Sequence, residues 1–341
     1  MKIALLTGGG DSPATNAAIR AVVRVSYEDG QEVIGVRNGW AGMINNDMAP
    51  LGVASVSGIL PKGGTILGTS RTNPFKLNAV DAIRSSVADR GIGAIIAIGG
   101  DDTLGVAHRL NSLDPPIRAV GIPQTIDNDI SLTDYAIGFD TAVAIVTDAL
   151  DKLHTTAESH HRVMVLEVMG RDAGHVALTA GLAGGADIIL VPERPFDLDQ
   201  ICDRIEKRRE LGKTFSLVVI AEGAAPKGGK QISKTEKVDQ FGHPILGGIG
   251  EYVATQIADR CKLETRVTNL GHLQRGGIPS PFDRLLGTRF GAAAVKLVKE
   301  ERWDMMVALQ GMDVKPVSLA DALAETKPVD PELLALADIF Y

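Results

Sequence analysis

Short apolar runs alternate with longer amphipathic segments along most of the chain. The runs cover residues 3–6, 32–36, 94–98, 117–122, 163–168, 187–191, 215–221, 266–270 and 305–309. Runs of this length that end at glycine or polar residues are typical of buried strands in a parallel sheet. Apolar residues at helical spacing follow several of them, at residues 17–27, 141–158, 177–183, 251–261 and 282–300. The alternation predicts an α/β fold with two three-layer parallel-sheet lobes facing each other across an active-site cleft.

One stretch departs from this alternation. Residues 224–250 are rich in glycine and lysine and show little apolar periodicity. We therefore expect a surface insertion with short irregular structure. The helix expected at residues 141–158 marks the passage into the second lobe.

Composition narrows the class of protein. The chain has 341 residues, of which 45% are apolar, and a net charge of -7 disfavours nucleic acid as a partner. No apolar run approaches the ~20 residues of a membrane span, and glycines end the first run too early for a signal peptide. Cys202 and Cys261 are the only cysteines and lie far apart in sequence. We therefore expect neither a disulfide nor a zinc site, which fits a reducing cytoplasm.

Three glycine-rich turns are candidates for phosphate binding. Gly99-Gly-Asp-Asp-Thr103 follows a buried run, and a helix is expected to begin at about Thr103. Two carboxylates beside a bound phosphate need a divalent cation between them, so this turn predicts a metal–phosphate site. Residues 7–16 form a second such turn, and residues 63–71 form a loop that ends in Arg71. Each taken alone is also explained as a tight connection or a solvated charge.

Further polar side chains stand where predicted strands end or between glycines. They are Thr125, Asp127, Arg171, Glu222, His272 and Arg275. Asp127 is suited to take a proton from an alcohol, and Arg171 to stabilise a phosphoryl group in transfer. With Asp101 as a magnesium ligand, the set favours a phosphoryl transferase. Composition and spacing do not identify the sugar.

Several segments, taken in order, resemble the motifs of the phosphofructokinases. They are Leu6-Thr-Gly-Gly-Gly-Asp11 with Asn16-Ala-Ala-Ile-Arg20, residues 63–71, Gly99-Gly-Asp-Asp-Thr103, Pro123-Gln-Thr-Ile-Asp-Asn-Asp129, Met169-Gly-Arg171, Glu222 and Gly271-His-Leu-Gln-Arg-Gly-Gly277. The likeness extends from the first strand to about Arg289 and is less distinct in the tail. As an ordered set these motifs are specific, although no single one is.

The resemblance implies transfer of a phosphoryl group to the 1-hydroxyl of fructose 6-phosphate with Mg²⁺. It implies a phosphoryl-donor lobe of residues 1–138 plus about 274–325. A fructose 6-phosphate lobe of residues 139–273 plus about 326–341 would carry the insertion near 224–250. The family works as homodimers or homotetramers whose active sites are shared between subunits.

The resemblance also assigns residue roles. Asp127 matches the family's general base, and Asp101 matches the carboxylate that binds magnesium. Thr125 matches a residue that positions the transferred phosphoryl group, and Arg171 matches the residue whose positive charge stabilises the transition state. The donor side comprises Gly9, Arg71, Asp102, Thr103 and Gln124. Fructose 6-phosphate would be held by Met169, Gly170, Glu222, His272 and Arg275, with Arg162 and Arg266 reaching in from a neighbouring subunit.

Two residues bear on the choice of donor, and they disagree. Asp102 stands where ATP-using members commonly have glycine, and its carboxylate would repel a nucleotide's α-phosphate. Gln124 stands where pyrophosphate-using members usually carry lysine, and an amide has no charge. We favour pyrophosphate, with ATP as the alternative, because a buried clash excludes ATP more firmly than a missing cation prevents catalysis.

Two rival functions remain open at this point. One is a NAD or lipid kinase with a similar Gly-Gly-Asp turn, against which the motifs at Met169 and Gly271 argue. The other is a sugar-phosphate binding protein, which would have no use for Asp101 or Asp127.

Overall fold

The computed structural model describes residues 1–238 and 244–340. It forms two compact units, each made of several stretches of the chain. Unit 1 comprises Met1–Ile126, Ile130–Thr141 and Arg275–Thr326, and unit 2 comprises Asp127–Asp129, Ala142–Gln274 and Lys327–Tyr341.

The strands and helices follow one another in the alternating order that the apolar runs predict. The strands are β1 (Lys2–Thr7), β2 (Glu32–Val36), β3 (Met48–Pro50), β4 (Ala94–Gly99), β5 (Ala119–Pro123), β6 (Val163–Val168), β7 (Ile188–Leu190), β8 (Ser216–Ala221), β9 (Ser233–Val238), β10 (Pro244–Leu246), β11 (Thr265–Asn269), β12 (Met305–Gln310) and β13 (Asp313–Ser318). The helices are α1 (Thr15–Glu28), α2 (Trp40–Asn45), α3 (Val80–Arg90), α4 (Asp101–Asn111), α5 (Phe139–His160), α6 (His175–Ala183), α7 (Leu198–Glu210), α8 (Ile249–Cys261), α9 (Pro281–Lys299), α10 (Leu319–Ala322) and α11 (Pro331–Phe340).

Unit 1 is built on a seven-stranded sheet in the order β13-β12-β5-β4-β1-β2-β3. The five inner strands are parallel, so their carboxyl ends lie at one edge. Ile3 and Leu5 of β1 pack into the core beneath α1 and α9, and Ala4 and Leu6 pack into the core beneath α2, α3 and α4. Both faces are therefore covered, which gives three layers and confirms the α/β fold class.

Two strands at the edges of this sheet were not expected. β3 pairs antiparallel with β2, and β13 pairs antiparallel with β12. Both are only partly buried, so they lack the continuous apolar run by which the inner strands are recognised.

Unit 2 has a parallel four-stranded sheet in the order β11-β6-β8-β7. Val163 and Val165 of β6 face a core that α7 and α8 complete, while Met164 packs with Ala157 of α5 on the other face. Glu222 directly follows β8, and Met169 directly follows β6. Unit 2 thus has its own core and its own row of strand ends.

The expectation of irregular structure for residues 224–250 is wrong in part. β9 and β10 form a two-stranded antiparallel sheet within this stretch. Residues 239–243 lie outside the described residues. β10 is short and its register shifts, which is why apolar periodicity gave no signal for it.

The expectation that the two cysteines stay unpaired is also wrong. Cys202 of α7 and Cys261 at the end of α8 form a disulfide, with their Cα atoms 6.0 Å apart. They are 59 positions apart in sequence, but α7 and α8 pack side by side on the same face of the unit 2 sheet. Tertiary packing brought the thiols together where sequence spacing gave no hint.

Within residues 1–238 and 244–340, none of the helices combines the length and the hydropathy of a membrane span.

Candidate active site

The glycine turns of unit 1 pack tightly against Thr103. A Cβ atom on Gly8 would lie 2.6 Å from Thr103 Oγ1, and one on Gly99 would lie 2.6 Å from Thr103 Cβ. Gly9 adopts a φ of 81°, which a side chain would strain. Glycine is therefore required at the ends of β1 and β4, because a side chain at Gly8 or Gly99 would collide with Thr103.

Asp101 and Asp102 are the first two residues of α4, with Gly100 as the N-cap. The helix thus begins two residues earlier than the sequence predicts. Asp101 is exposed and Asp102 is half-buried. Both carboxylates lie at the positive end of the helix dipole, which stabilises them there and stabilises a bound anion equally.

The loop of residues 63–71 is held against the first glycine turn. Gly9 N donates to Ser70 O at 3.1 Å, and Thr69 Oγ1 donates to Gly9 O at 2.7 Å. The Asn16 side chain fixes the start of the loop by donating to Lys62 O at 3.0 Å and accepting from Ile66 N at 2.9 Å. The loop therefore delivers Arg71 to the turn that contains Gly9.

Gln124 and Arg275 both contact Gly10. Gln124 is 2% exposed, and its Nε2 donates to Gly10 O at 2.9 Å. The Arg275 guanidinium lies so close that a Cβ on Gly10 would be 1.6 Å from Nη1, which also donates to Asp11 O at 3.5 Å. Arg275, predicted as a sugar-phosphate residue, is thus part of unit 1 and brings a positive charge to its first glycine turn.

Thr125 lies at the second turn, because a Cβ on Gly100 would be 4.0 Å from Thr125 Cβ. We call this group the glycine-turn half-site. It comprises Gly9, Arg71, Asp101, Asp102, Thr103, Gln124, Thr125 and Arg275.

In unit 2 the predicted sugar residues gather at the ends of β6 and β8. Glu222 N donates to Val168 O at 2.8 Å, and Arg171 N donates to Glu222 Oε1 at 3.4 Å. Gly170 has a φ of 146°, and a Cβ there would be 2.5 Å from Ala173 O. The turn after β6 is therefore fixed with glycine at its centre.

A 3-10 helix, Gly271–Arg275, follows β11 and brings His272 to the same edge. Gln274 is fully buried and links the two segments, because it accepts from Met169 N at 3.2 Å and donates to Gly271 O at 3.0 Å. Sequence reasoning assigned no role to Gln274, although it lies inside a quoted motif. His272 itself is exposed.

Arg162 and Arg266 lie together at the start of β6 and β11. Both guanidinium groups contact Glu264 Oε1, at 2.8 Å and 2.5 Å. The hydrogen bond from Arg162 is the main reason why the pKa of Glu264 lies below its usual value of 4.5. Sequence reasoning found both arginines but not the carboxylate that holds them.

Asp127 belongs to unit 2 and is buried, with 8% of its surface exposed. We call the unit 2 group the strand-end half-site. It comprises Met169, Gly170, Arg171, Glu222 and His272 at the ends of β6, β8 and β11. Arg162 and Arg266 lie at the opposite ends of β6 and β11, and the individual roles of all these residues stay predictions.

Comparison with known proteins reveals the family. The phosphofructokinase family model matches residues 2–298. The chain is 53% identical to the pyrophosphate–fructose 6-phosphate 1-phosphotransferase of Amycolatopsis methanolica, over all of both chains. It is 45% identical to the ATP-dependent 6-phosphofructokinase of Corynebacterium efficiens, over 100% of this chain and 99% of that protein.

Solved structures share the fold. Phosphofructokinase from Saccharomyces cerevisiae superposes with a TM-score of 0.82 at 30% identity, over 99% of this chain and 46% of the yeast chain. A pyrophosphate-dependent phosphofructokinase from Nitrosospira multiformis gives a TM-score of 0.86 at 21% identity, over 97% of this chain and 86% of that one. By its motifs, its fold and the match along most of its length, the chain belongs to the phosphofructokinase family.

Proposed function

We propose that this protein transfers a phosphoryl group from pyrophosphate to the 1-hydroxyl of D-fructose 6-phosphate, giving fructose 1,6-bisphosphate and phosphate. The observation that carries the proposal is the glycine-turn half-site. There two glycine turns pack on Thr103, and the carboxylates of Asp101 and Asp102 lie in the first turn of the helix that contains Thr103. The names of relatives at 51% to 53% identity support the same reaction.

We assign the chemical steps to residues of both units. Asp127 takes the proton of the sugar's 1-hydroxyl as that oxygen attacks phosphorus, and the bond to the second phosphate breaks, releasing inorganic phosphate. The Arg171 guanidinium offsets the negative charge on the phosphoryl oxygens during transfer. The Thr125 hydroxyl orients the group that moves.

Mg²⁺ fits the donor set beside the second turn. Mg²⁺ takes one or two protein carboxylates and completes its shell with phosphate oxygens and water, and Asp101 offers an exposed carboxylate where a phosphate would lie. No cluster of three or more His, Cys, Asp or Glu suited to a metal occurs in the described residues, so the donor's own oxygens have to contribute. When bound, the ion neutralises charge on those oxygens.

The choice of donor rests on Asp102 and Gln124. Asp102 lies in the first turn of α4, where its charge would oppose a further phosphate. The Gln124 amide is already engaged with Gly10 O, and Arg275 and Arg71 bring cations to that turn. The positive charge that Gln124 lacks is therefore supplied nearby, which supports pyrophosphate as the donor.

ATP is the alternative donor, and the relatives at 45% to 47% identity that are named ATP-dependent phosphofructokinases favour it. The donor assay decides between the two. Purified protein is incubated with fructose 6-phosphate and Mg²⁺, and product is measured with pyrophosphate or with ATP. We expect turnover with pyrophosphate; turnover with ATP alone would refute the assignment.

The role of the base is tested by Asp127→Ala. Turnover should collapse while fructose 6-phosphate still binds in calorimetry. Asp172→Asn is the matched control, because Asp172 is an exposed carboxylate next to Arg171 that accepts a hydrogen bond from Gln231 Nε2 at 2.9 Å. Equal loss in both variants, or full activity in Asp127→Ala, would contradict the proposed base.

We further propose a cytoplasmic homodimer or homotetramer. Fructose 6-phosphate is a cytoplasmic metabolite, which is the reason for the location, although a disulfide such as Cys202–Cys261 is uncommon in a reducing compartment. Arg162 and Arg266 lie at the opposite end of their strands from Met169, so we assign them to the neighbouring subunit's site.

A further inference from the structure

We propose that Glu167 is a positioning residue that fixes the fructose 6-phosphate loops of the strand-end half-site. This inference rests on the proposed function. Glu167 is the penultimate residue of β6, is 2% exposed, and lies between β11 and β8 in the sheet. A carboxylate inside an otherwise apolar strand needs a reason, because burial of an unpaired charge is strongly unfavourable.

The carboxylate is satisfied by neutral donors from two other segments. Gly248 N donates to both of its oxygens at 3.2 Å, Gly250 N donates to Oε2 at 2.8 Å, and Asn269 Nδ2 donates to Oε1 at 2.6 Å. No ion pair with lysine or arginine joins Glu167 in the part of the chain that the structure describes.

Its charge is instead stabilised by the start of α8. Gly248 is the N-cap of that helix and offers no side-chain cap, so Glu167 caps the helix from a neighbouring strand. Backbone N–H groups at a helix N-terminus have no partner within the helix and are satisfied by an acceptor such as this carboxylate. A Cβ on Gly250 would lie 2.9 Å from Glu167 Oε2, so glycine there allows this close approach.

These bonds join segments that hold the sugar phosphate. Met169 and Gly170 lie two and three residues after Glu167, and Asn269 leads into the Gly271–Arg275 helix that carries His272. Leu270 N also donates to Glu167 O at 3.2 Å. Loss of the carboxylate should therefore displace the turn after β6 and the His272 helix relative to each other.

The same residue reaches the surface insertion. β10 ends at Leu246, and Gly248 and Gly250, just beyond it, donate to the Glu167 carboxylate. Glu167 is thus one of the links between the insertion and the strand-end half-site, beside the hydrogen bond from Gln231 to Asp172, and Gln274 links β6 to the His272 helix.

The test is Glu167→Gln, which keeps size but points an amide nitrogen at N–H donors. Because small misplacements of binding groups have large kinetic effects, we expect KM for fructose 6-phosphate to rise about tenfold. KM for pyrophosphate should stay within about twofold, since that ligand belongs to unit 1. Gly250→Ala presses on the same carboxylate and should raise the same KM, which keeps the proposal testable if the first variant is unstable.

Asp187→Asn is the control for a purely structural effect. Asp187 is another buried carboxylate of unit 2, which accepts from Leu217 N at 2.8 Å and pairs with Arg208 at 2.7 Å. We expect this variant to lose thermal stability with both KM values unchanged. If Glu167→Gln and Gly250→Ala behave like Asp187→Asn, the positioning role is wrong. If the wild-type protein neither binds nor phosphorylates fructose 6-phosphate, the proposed function fails instead.

Discussion

The Cys202–Cys261 disulfide should contribute strongly to the stability of unit 2. It closes a loop across 59 positions and joins α7 to α8. Cross-linking a loop of this length removes unfolded-state entropy equivalent to about 4 kcal/mol at 25 °C. Domain stabilities are only ~5–15 kcal/mol, so reduction should lower the urea midpoint of unit 2 clearly.

The assay compares wild-type protein with and without dithiothreitol and uses Cys202→Ser with Cys261→Ser as the matched variant. We expect the reductant to destabilise the wild type by about 4 kcal/mol and to leave the double variant unaffected. Thiol titration of unfolded wild-type protein should find two thiols only after reduction. If two thiols react without reductant, or if reduction leaves the midpoint unchanged, the reasoning is refuted.

Three further results are expected. Asp102→Gly should gain turnover with ATP, measured as product formed per enzyme. If the variant still cannot use ATP, Asp102 is not the residue that excludes ATP. Asp127→Ala and Arg162→Ala proteins, each inactive alone, should recover about a quarter of wild-type activity when they are mixed and refolded as dimers. Half of the dimers then contain one subunit of each kind, and each of these has one intact site, with Asp127 from one subunit and Arg162 from the other. No recovery would rule out shared sites. Burial holds the pKa of His175 below its ordinary 6.5. Just below pH 6.5 the unfolded chain therefore binds a proton at His175 that the folded protein does not bind. The resulting stability is present above pH 6.5 and is lost as pH falls through that value, so urea midpoints should drop once pH is lowered below about 6.5, and drop less in His175→Gln.

The sequence predicted best what depends on local apolar runs. β2 and β6 have the predicted bounds, because both are buried along nearly their whole length. β13 was missed because its partly buried, polar-containing sequence resembles a loop. The hairpin of β9 and β10 was missed because it depends on pairing between two segments.

The same distinction holds for the site. Glycine turns carry their signal in their own residues, and the structure places Gly9, Asp101, Asp102 and Thr103 together. The cysteine pair depends on how two helices pack, which spacing does not reveal. The sequence does give a signal for Glu167, because it is a single acidic residue in an apolar strand. Its hydrogen-bond partners, however, come from distant segments.

The carboxylate of Glu264 gives Arg162 and Arg266 a counter-ion of their own. A phosphate that binds these arginines has to exchange with a tethered anion instead of displacing dissolved chloride. Because the exchange releases few free ions, affinity for the sugar phosphate should vary only weakly with ionic strength. The arginines also discriminate between anions by charge. A monoanion is attracted to them about as strongly as the Glu264 carboxylate that it replaces, whereas a dianionic phosphate carries one more negative charge and is attracted more strongly.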